Sequence, residues 1–173
     1  ELGLIPPEHC PQLEDKLSKL AGLAEQHIDL GRLQALTGAP LADELLKMEP
    51  VGQVQVALAR DAAFAAYEED TLALWESLGA VFLPFSPLQD KELPQGAQAV
   101  MLCGSAAAYY ADALSQNEPM RNAIRECKLA LWAEGLGAAY VGRQLDGFPM
   151  CGLLEHSSCA GSCLARFGYV ETD

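Results

Sequence analysis

A chain of 173 residues, half of them hydrophobic and a fifth charged, has the size and balance of one well-buried globular domain, alone or with an appended segment. Eleven Lys and Arg against twenty-four Asp and Glu give a net charge of −13, which argues against nucleic-acid binding and reads as a solvated acidic surface. No apolar run approaches bilayer-spanning length and no basic-then-apolar leader is present, so no membrane partner is expected. Six scattered Cys without framework spacing read as reduced thiols of a cytoplasmic protein. The start at Glu1, inside ELGLIPP and without an initiator Met, reads as a fragment of a longer chain.

Glu1–Pro7 reads as the end of an extended segment halted by Pro6-Pro7. From Pro11 onward, Leu13, Leu17, Leu20, Ala24 and Ile28 follow helical spacing with charges between them. Asp29 is a candidate N-cap for a second short helix carrying Leu30, Leu33 and Leu36, ended by Thr37-Gly38. Ala39–Pro50 reads as a linker, which makes residues 1–50 a helical arm without its own core. His9 and His27 read as a surface residue and a helix-end residue.

The composition changes at Val51. Val54, Val56 and Leu58 alternate with Gln55 and Ala57 as a first strand, and a helix carrying Leu72, Trp75 and Leu78 follows, capped at Gly79. Ala80–Phe85 and Ala99–Cys103 are the next strands, Ala106–Leu114 and Pro119–Cys127 helices, and Leu129–Ala133 the fourth strand. Beyond Gly147 the order weakens into a Ser/Cys/Gly-rich stretch before a strand at Leu164–Val170. Strands alternating with helices predict a parallel sheet with helices on both faces, in residues 51–173. Its ligand site belongs beyond the carboxyl ends of the strands, at Ala59–Phe64, Phe85–Pro87, Cys103-Gly104-Ser105 and Glu134–Gly137. Trp75 and Trp132 read as core.

The last of these ends is the most informative. LALWAEGLGAAYVGR (Leu129–Arg143) is a strand, a tight turn and a helix, the geometry of a nucleophile elbow, yet no Ser, Cys or Thr lies between Ala133 and Ala139. Gly135 occupies the tip.

Several strand ends resemble one family. VALARDAAFAAY (Val56–Tyr67), GAVFLPFSPLQDKELP (Gly79–Pro94), LCGSAAAYYADAL (Leu102–Leu114), LALWAEGLGAAYVG (Leu129–Gly142) and LARFGYVE (Leu164–Glu171) are similar to the successive motifs of the glutamine amidotransferase domain of cobyrinic acid a,c-diamide synthases. The front end, ELGLIPPEH with EQHIDLGRLQAL, resembles the connection leaving that family's ATP-binding domain. The resemblance implies a flavodoxin-like class I glutaminase-type α/β fold, incomplete at its C-terminus. Its partner would be an ATP-binding amidoligase domain of the same parent chain, with homodimerisation open. That absent domain would use ATP and Mg²⁺ to amidate tetrapyrrole carboxylates in cobalamin biosynthesis, and no cofactor is expected in this piece, which has no G-x-x-x-x-G-K-[ST].

The same resemblance places the family's nucleophilic Cys at Gly135 of the elbow Glu134-Gly135-Leu136-Gly137, where Glu134, Gly137, Tyr140 and Gly142 fit the motif, and leaves its His beyond Asp173. Gly104 and Ser105 are the remnant of the oxyanion loop, whose Y-P-E has become Ala106-Ala107-Ala108. Cys103 is the fallback thiol, although an exposed thiol without a His base stays mostly protonated. Arg60 and Asp61 are candidates for contact with a partner domain or for an internal ion pair. Cys151, His156, Cys159 and Cys163 form a Cys/His loop that could hold a metal or serve a sensor module, against a reading as plain reduced thiols. The expectation is a glutaminase-inactive domain. The alternatives are glutaminase chemistry through Cys103 and metal binding at the Cys/His loop.

Overall fold

A computed structural model describes residues 7, 10–38, 49–65, 67–104 and 107–159 of the chain. The expected strand Leu164–Val170, most of the Ala39–Pro50 linker, and His9, Ser105 and Cys163 lie outside the described residues. The chain divides into two units between Lys47 and Met48.

In the first unit, Leu13–His27 forms helix α1 and Leu30–Leu36 helix α2. Glu14 and Asp15 in the first turn of α1 complement its dipole, and Pro11 precedes the helix instead of sitting in its first turn. Asp29 does cap α2: its Oδ1 accepts the Arg32 N–H at 2.9 Å. Neither helix buries a residue, and Leu17, Leu20, Leu33 and Leu36 are exposed.

The second unit is built on four strands, β1 (Val54–Ala59), β2 (Ala80–Phe85), β3 (Ala99–Gly104) and β4 (Ala130–Gly135), in a parallel sheet of order β2-β1-β3-β4. The period of two along β1 and β3 sends side chains to two different cores. Ala57, Ala59, Val100 and Leu102 meet Leu114, Met120, Ile124 and Tyr140 on one face. These come from α4 (Ala111–Gln116), α5 (Glu118–Glu126) and α6 (Leu136–Val141). Val56, Leu58, Met101 and Cys103 meet Leu72 and Trp75 of α3 (Glu69–Ser77) on the other. β1 and β3 are therefore central and covered on both sides, which is why they read as near-continuous apolar runs. This is a flavodoxin-like α/β fold.

The departures from expectation have local causes. Trp132 is 53% exposed, not core: it lies on β4, the outermost strand among the described residues, where its neighbour is Trp75 at 6.0 Å in an edge-to-face contact. The helix expected over Ala106–Leu114 is a 3₁₀ turn, Ala107–Tyr110, followed by α4, which runs on to Gln116. Only Asn117 separates α4 from α5. It is buried and its amide donates to the carbonyls of Pro87 (2.7 Å) and Asp90 (2.8 Å), tying the helix junction to the loop after β2. β4 begins at Ala130 and carries on through Glu134 to Gly135, so α6 starts at Leu136 with no intervening loop.

A second small sheet, β5 (Gln144–Leu145), β6 (Phe148–Pro149) and β7 (Ser157–Ser158), follows in order β6-β5-β7. Asp146 and Gly147 both have positive φ (51° and 85°) and close the β5–β6 hairpin, the Asp-Gly turn suited to strand twist. No helix among the described residues is long and apolar enough to cross a membrane.

Candidate functional site

The carboxyl ends of β3 and β4, with the segment that leads from β1 into α3, open onto a cavity of about 340 Å³. Tyr67, Glu68, Thr71, Cys103, Glu134 and Gly135 are among the residues that line it. The strand order reverses between β1 and β3, which makes this the switch point where open parallel sheets bind ligands.

Gly135 forms the rim. Its φ of 59° and ψ of −127° lie where an L side chain is strained, and it is at once the last residue of β4 and the N-cap of α6. A strand passes into a helix within one residue, as a nucleophile elbow does. The turn is held from below by Gly137, where an added Cβ would stand 1.9 Å from the Leu102 carbonyl oxygen, so α6 lies directly against β3. A Cβ at Gly135 would meet only the Gly104 carbonyl, at 3.0 Å. The tip has the conformation that presents a nucleophile and carries no side chain with which to attack.

Cys103 is the thiol that lines the cavity. The sequence suggested an exposed thiol after a strand, but Cys103 is still within β3 and only 6% exposed. Burial pushes its thiol above the ordinary value, and the nearby Glu134 charge pushes it further in the same direction. Both effects oppose the thiolate that nucleophilic attack requires. Neither described histidine lines the cavity. His156 lies at the other end of α6, its Nε2 2.9 Å from the Ala138 carbonyl oxygen.

Arg60 and Asp61 do different things. Arg60 pairs with Glu69 at 2.6 Å on the surface, an internal ion pair made across to α3 and not with its neighbour. The Asp61 carboxylate accepts four hydrogen bonds. Its Oδ1 takes the N–H groups of Ala63 (2.9 Å) and Phe64 (3.1 Å), and its Oδ2 takes the Ser86 hydroxyl (2.8 Å) and the Leu88 N–H (3.0 Å). The A-R-D-x-A-F and F-S-P-L segments are thus two halves of one junction, with Asp61 as the pin between the ends of β1 and β2.

Comparison with known proteins agrees with this geometry. The model of the CobB/CobQ-like glutamine amidotransferase domain matches residues 55–160. The chain belongs to that family. A cobyrinate a,c-diamide synthase of Caldanaerobacter subterraneus subsp. tengcongensis is 35% identical over 185 residues, covering 99% of this chain and 40% of that protein. One from Listeria monocytogenes is 35% identical over 179 residues, covering 97% of this chain and 39% of the relative. A Synechococcus synthase is 33% identical over 184 residues. The chain thus spans about 40% of the length of the curated relatives it matches. No solved structure matches it.

Within the amidotransferase fold, Glu134, Gly135, Leu136 and Gly137 come together as the elbow, and Gly104 faces Gly135 across the β3–β4 ladder. Ser105, the other oxyanion-loop remnant, lies outside the described residues. The Cys/His loop does not gather at the cavity. Among the described residues no group of three or more His, Cys, Asp or Glu could hold a metal ion. Cys151 is fully buried, with burial pushing its thiol up to about 12, whereas Cys159 is exposed and Cys163 lies outside the described residues. The segment instead closes the end of α6: Cys151 N–H donates to Tyr140, Leu153 and Leu154 to Val141, and Gly152 to Gly142. Sequence reasoning missed Tyr67 and Glu68 as cavity residues. The aromatic three residues after the end of the A-R-D-x-A-F run was the available signal.

Proposed function

We propose that this chain is the glutamine amidotransferase-like part of a cobyrinate a,c-diamide synthase-type protein and that it does not hydrolyse glutamine. The observation that carries the reading is Gly135, a strained elbow tip without a reactive atom. Amidotransferase chemistry of this kind needs a thiolate at the tip and a base within reach of it. In the described cavity the one thiol is buried beside a carboxylate and no described histidine is among the lining residues. What remains is a scaffold: an intact sheet, a tightly seated elbow helix and the Asp61 junction.

In this reading the amidated carboxylates belong to a tetrapyrrole and the activation step to an ATP- and Mg²⁺-dependent ligase part. No residue of this chain is assigned to nucleotide or metal binding. Nitrogen would then reach the ligase as free ammonia or from another subunit. The test is an amidation assay on the full-length protein with either nitrogen source. Ammonium is expected to support amide formation and glutamine is not. Glutamine-driven amidation without added ammonium overturns the proposal.

A further inference from the structure

The β1–β3 ladder ends beside the cavity at Gly135, and one side chain stands where it ends. β1 donates the N–H groups of Val54 and Arg60 toward β2, to Gly79 O (3.1 Å) and Phe85 O (2.8 Å). Its even-numbered residues therefore face β2, and Ala57 and Ala59 face β3. The β1–β3 register runs Val56↔Ala99, Ala57↔Val100, Leu58↔Met101 and stops. One rung further, a regular parallel ladder would join the Cys103 N–H to the Ala59 carbonyl. β3 is still straight at that point, since it stays paired with β4 as far as Gly104↔Gly135.

The missing rung is occupied by a phenol. Cys103 N–H donates to Tyr67 Oη at 3.1 Å, and the Tyr67 hydroxyl donates to the Ala59 carbonyl at 2.7 Å, with Met101 O at 3.5 Å as a longer neighbour. Resting on the reading of this cavity as the ligand site, we propose that Tyr67 is its positioning residue. Its hydroxyl is inserted in the β1–β3 ladder, holds the two strands apart at the switch point, and fixes the Leu102–Cys103 peptide at the cavity wall.

Both backbone groups released by the split are satisfied by the same oxygen, so the opening leaves no unpaired polar group behind. The ring packs against the core beneath α3, which sets the depth of the wedge. Burial pushes the phenol up to about 12, so the hydroxyl remains a donor throughout the physiological range. Tyr67 needs no contact with ligand for this role; it shapes the wall that a ligand meets.

Residue-resolved amide exchange and cysteine labelling on Tyr67→Phe and Tyr67→Ala variants of the whole chain test the proposal. Phe keeps the wedge and removes the oxygen. The Cys103 amide should then exchange about tenfold faster, while the Ala57 amide, one rung earlier, is unchanged. Ala removes the wedge. The direct Ala59–Cys103 rung should then form, Cys103 protection should return to that of the parent sequence, and thiolation of Cys103 by a small methanethiosulfonate should slow as the cavity closes. A Phe variant with unaltered Cys103 exchange overturns the proposal. So does an Ala variant that loosens Cys103 and Ala57 together, because that is simple loss of packing. If the Ala variant does not fold, the Phe comparison decides alone. Glutamine hydrolysis is not read in either arm, so failure here leaves the glutaminase-inactive reading standing.

Discussion

Replacing Asp61 by Ala removes the acceptor shared by four donors, and the cost can be worked out donor by donor. Ala63 is fully buried, so its N–H, now 2.9 Å from Oδ1, would have no solvent to turn to. Phe64 N–H keeps a second acceptor, the Asp61 carbonyl at 3.1 Å, and loses less. Leu88 N–H is partly buried and the Ser86 hydroxyl can rotate toward water. A stranded buried donor costs about 1–3 kcal/mol and a partly solvated one less, which sums to about 3 kcal/mol. Asp61→Asn keeps one acceptor oxygen for the Ala63 and Phe64 side and places an NH₂ opposite Ser86 and Leu88, for about 1–2 kcal/mol. Urea unfolding followed by tryptophan fluorescence measures both through the midpoint at constant slope. A loss below about 0.5 kcal/mol for the Ala variant would refute the view that this carboxylate joins β1 to β2.

Four further outcomes follow from the same structure. Gly137→Ala should prevent α6 from seating, because its Cβ would overlap the Leu102 carbonyl at 1.9 Å; soluble yield and midpoint report it, and a near-normal midpoint contradicts the close approach. Gly135→Ala should cost about 1–3 kcal/mol from its positive φ, with the 3.0 Å approach to Gly104 O absorbed by a small shift. Tyr140→Phe should change stability by less than about 1 kcal/mol, since what the buried Tyr140 hydroxyl meets is the Cys151 thiol, a weak hydrogen-bond partner. Stability should fall as pH rises above about 9, because the unfolded Cys151 thiol ionises near its ordinary value while the folded one is pushed up to about 12. A Tm–pH series should show this slope, at most about 1.4 kcal/mol per pH unit for that group, and Cys151→Ala should lessen it, with the raised Cys103 and Tyr67 supplying the remainder.

The fold was legible where one physical rule dominates. Central strands β1 and β3 announce themselves as apolar runs because both faces are covered, and α2 because Asp29 is a working N-cap. Trp132 misled because β4 is outermost among the described strands and α3 only partly shields it, a tertiary fact absent from local spacing. The β5–β6 hairpin turns at Asp146-Gly147, at the edge of the Ser/Cys/Gly-rich stretch where the sequence pattern weakens. At the site, the glycine tip was visible as a missing side chain in a familiar turn. The burial of Cys103 was not, because it depends on β3 running to Gly104 and on the core beneath α3. Asp61's bonds to Ala63 and Phe64 are local, but those to Ser86 and Leu88 and Tyr67's bond to Cys103 join residues far apart in sequence, and no local pattern encodes such pairings.

The central claim is that this domain keeps the shape of a glutaminase elbow without its chemistry. Ammonia release from glutamine by the purified protein, beside its Cys103→Ser variant, measures that claim most directly. The account predicts no release above the buffer rate from either protein. Turnover that disappears on Cys103→Ser, or on thiol alkylation, would contradict it.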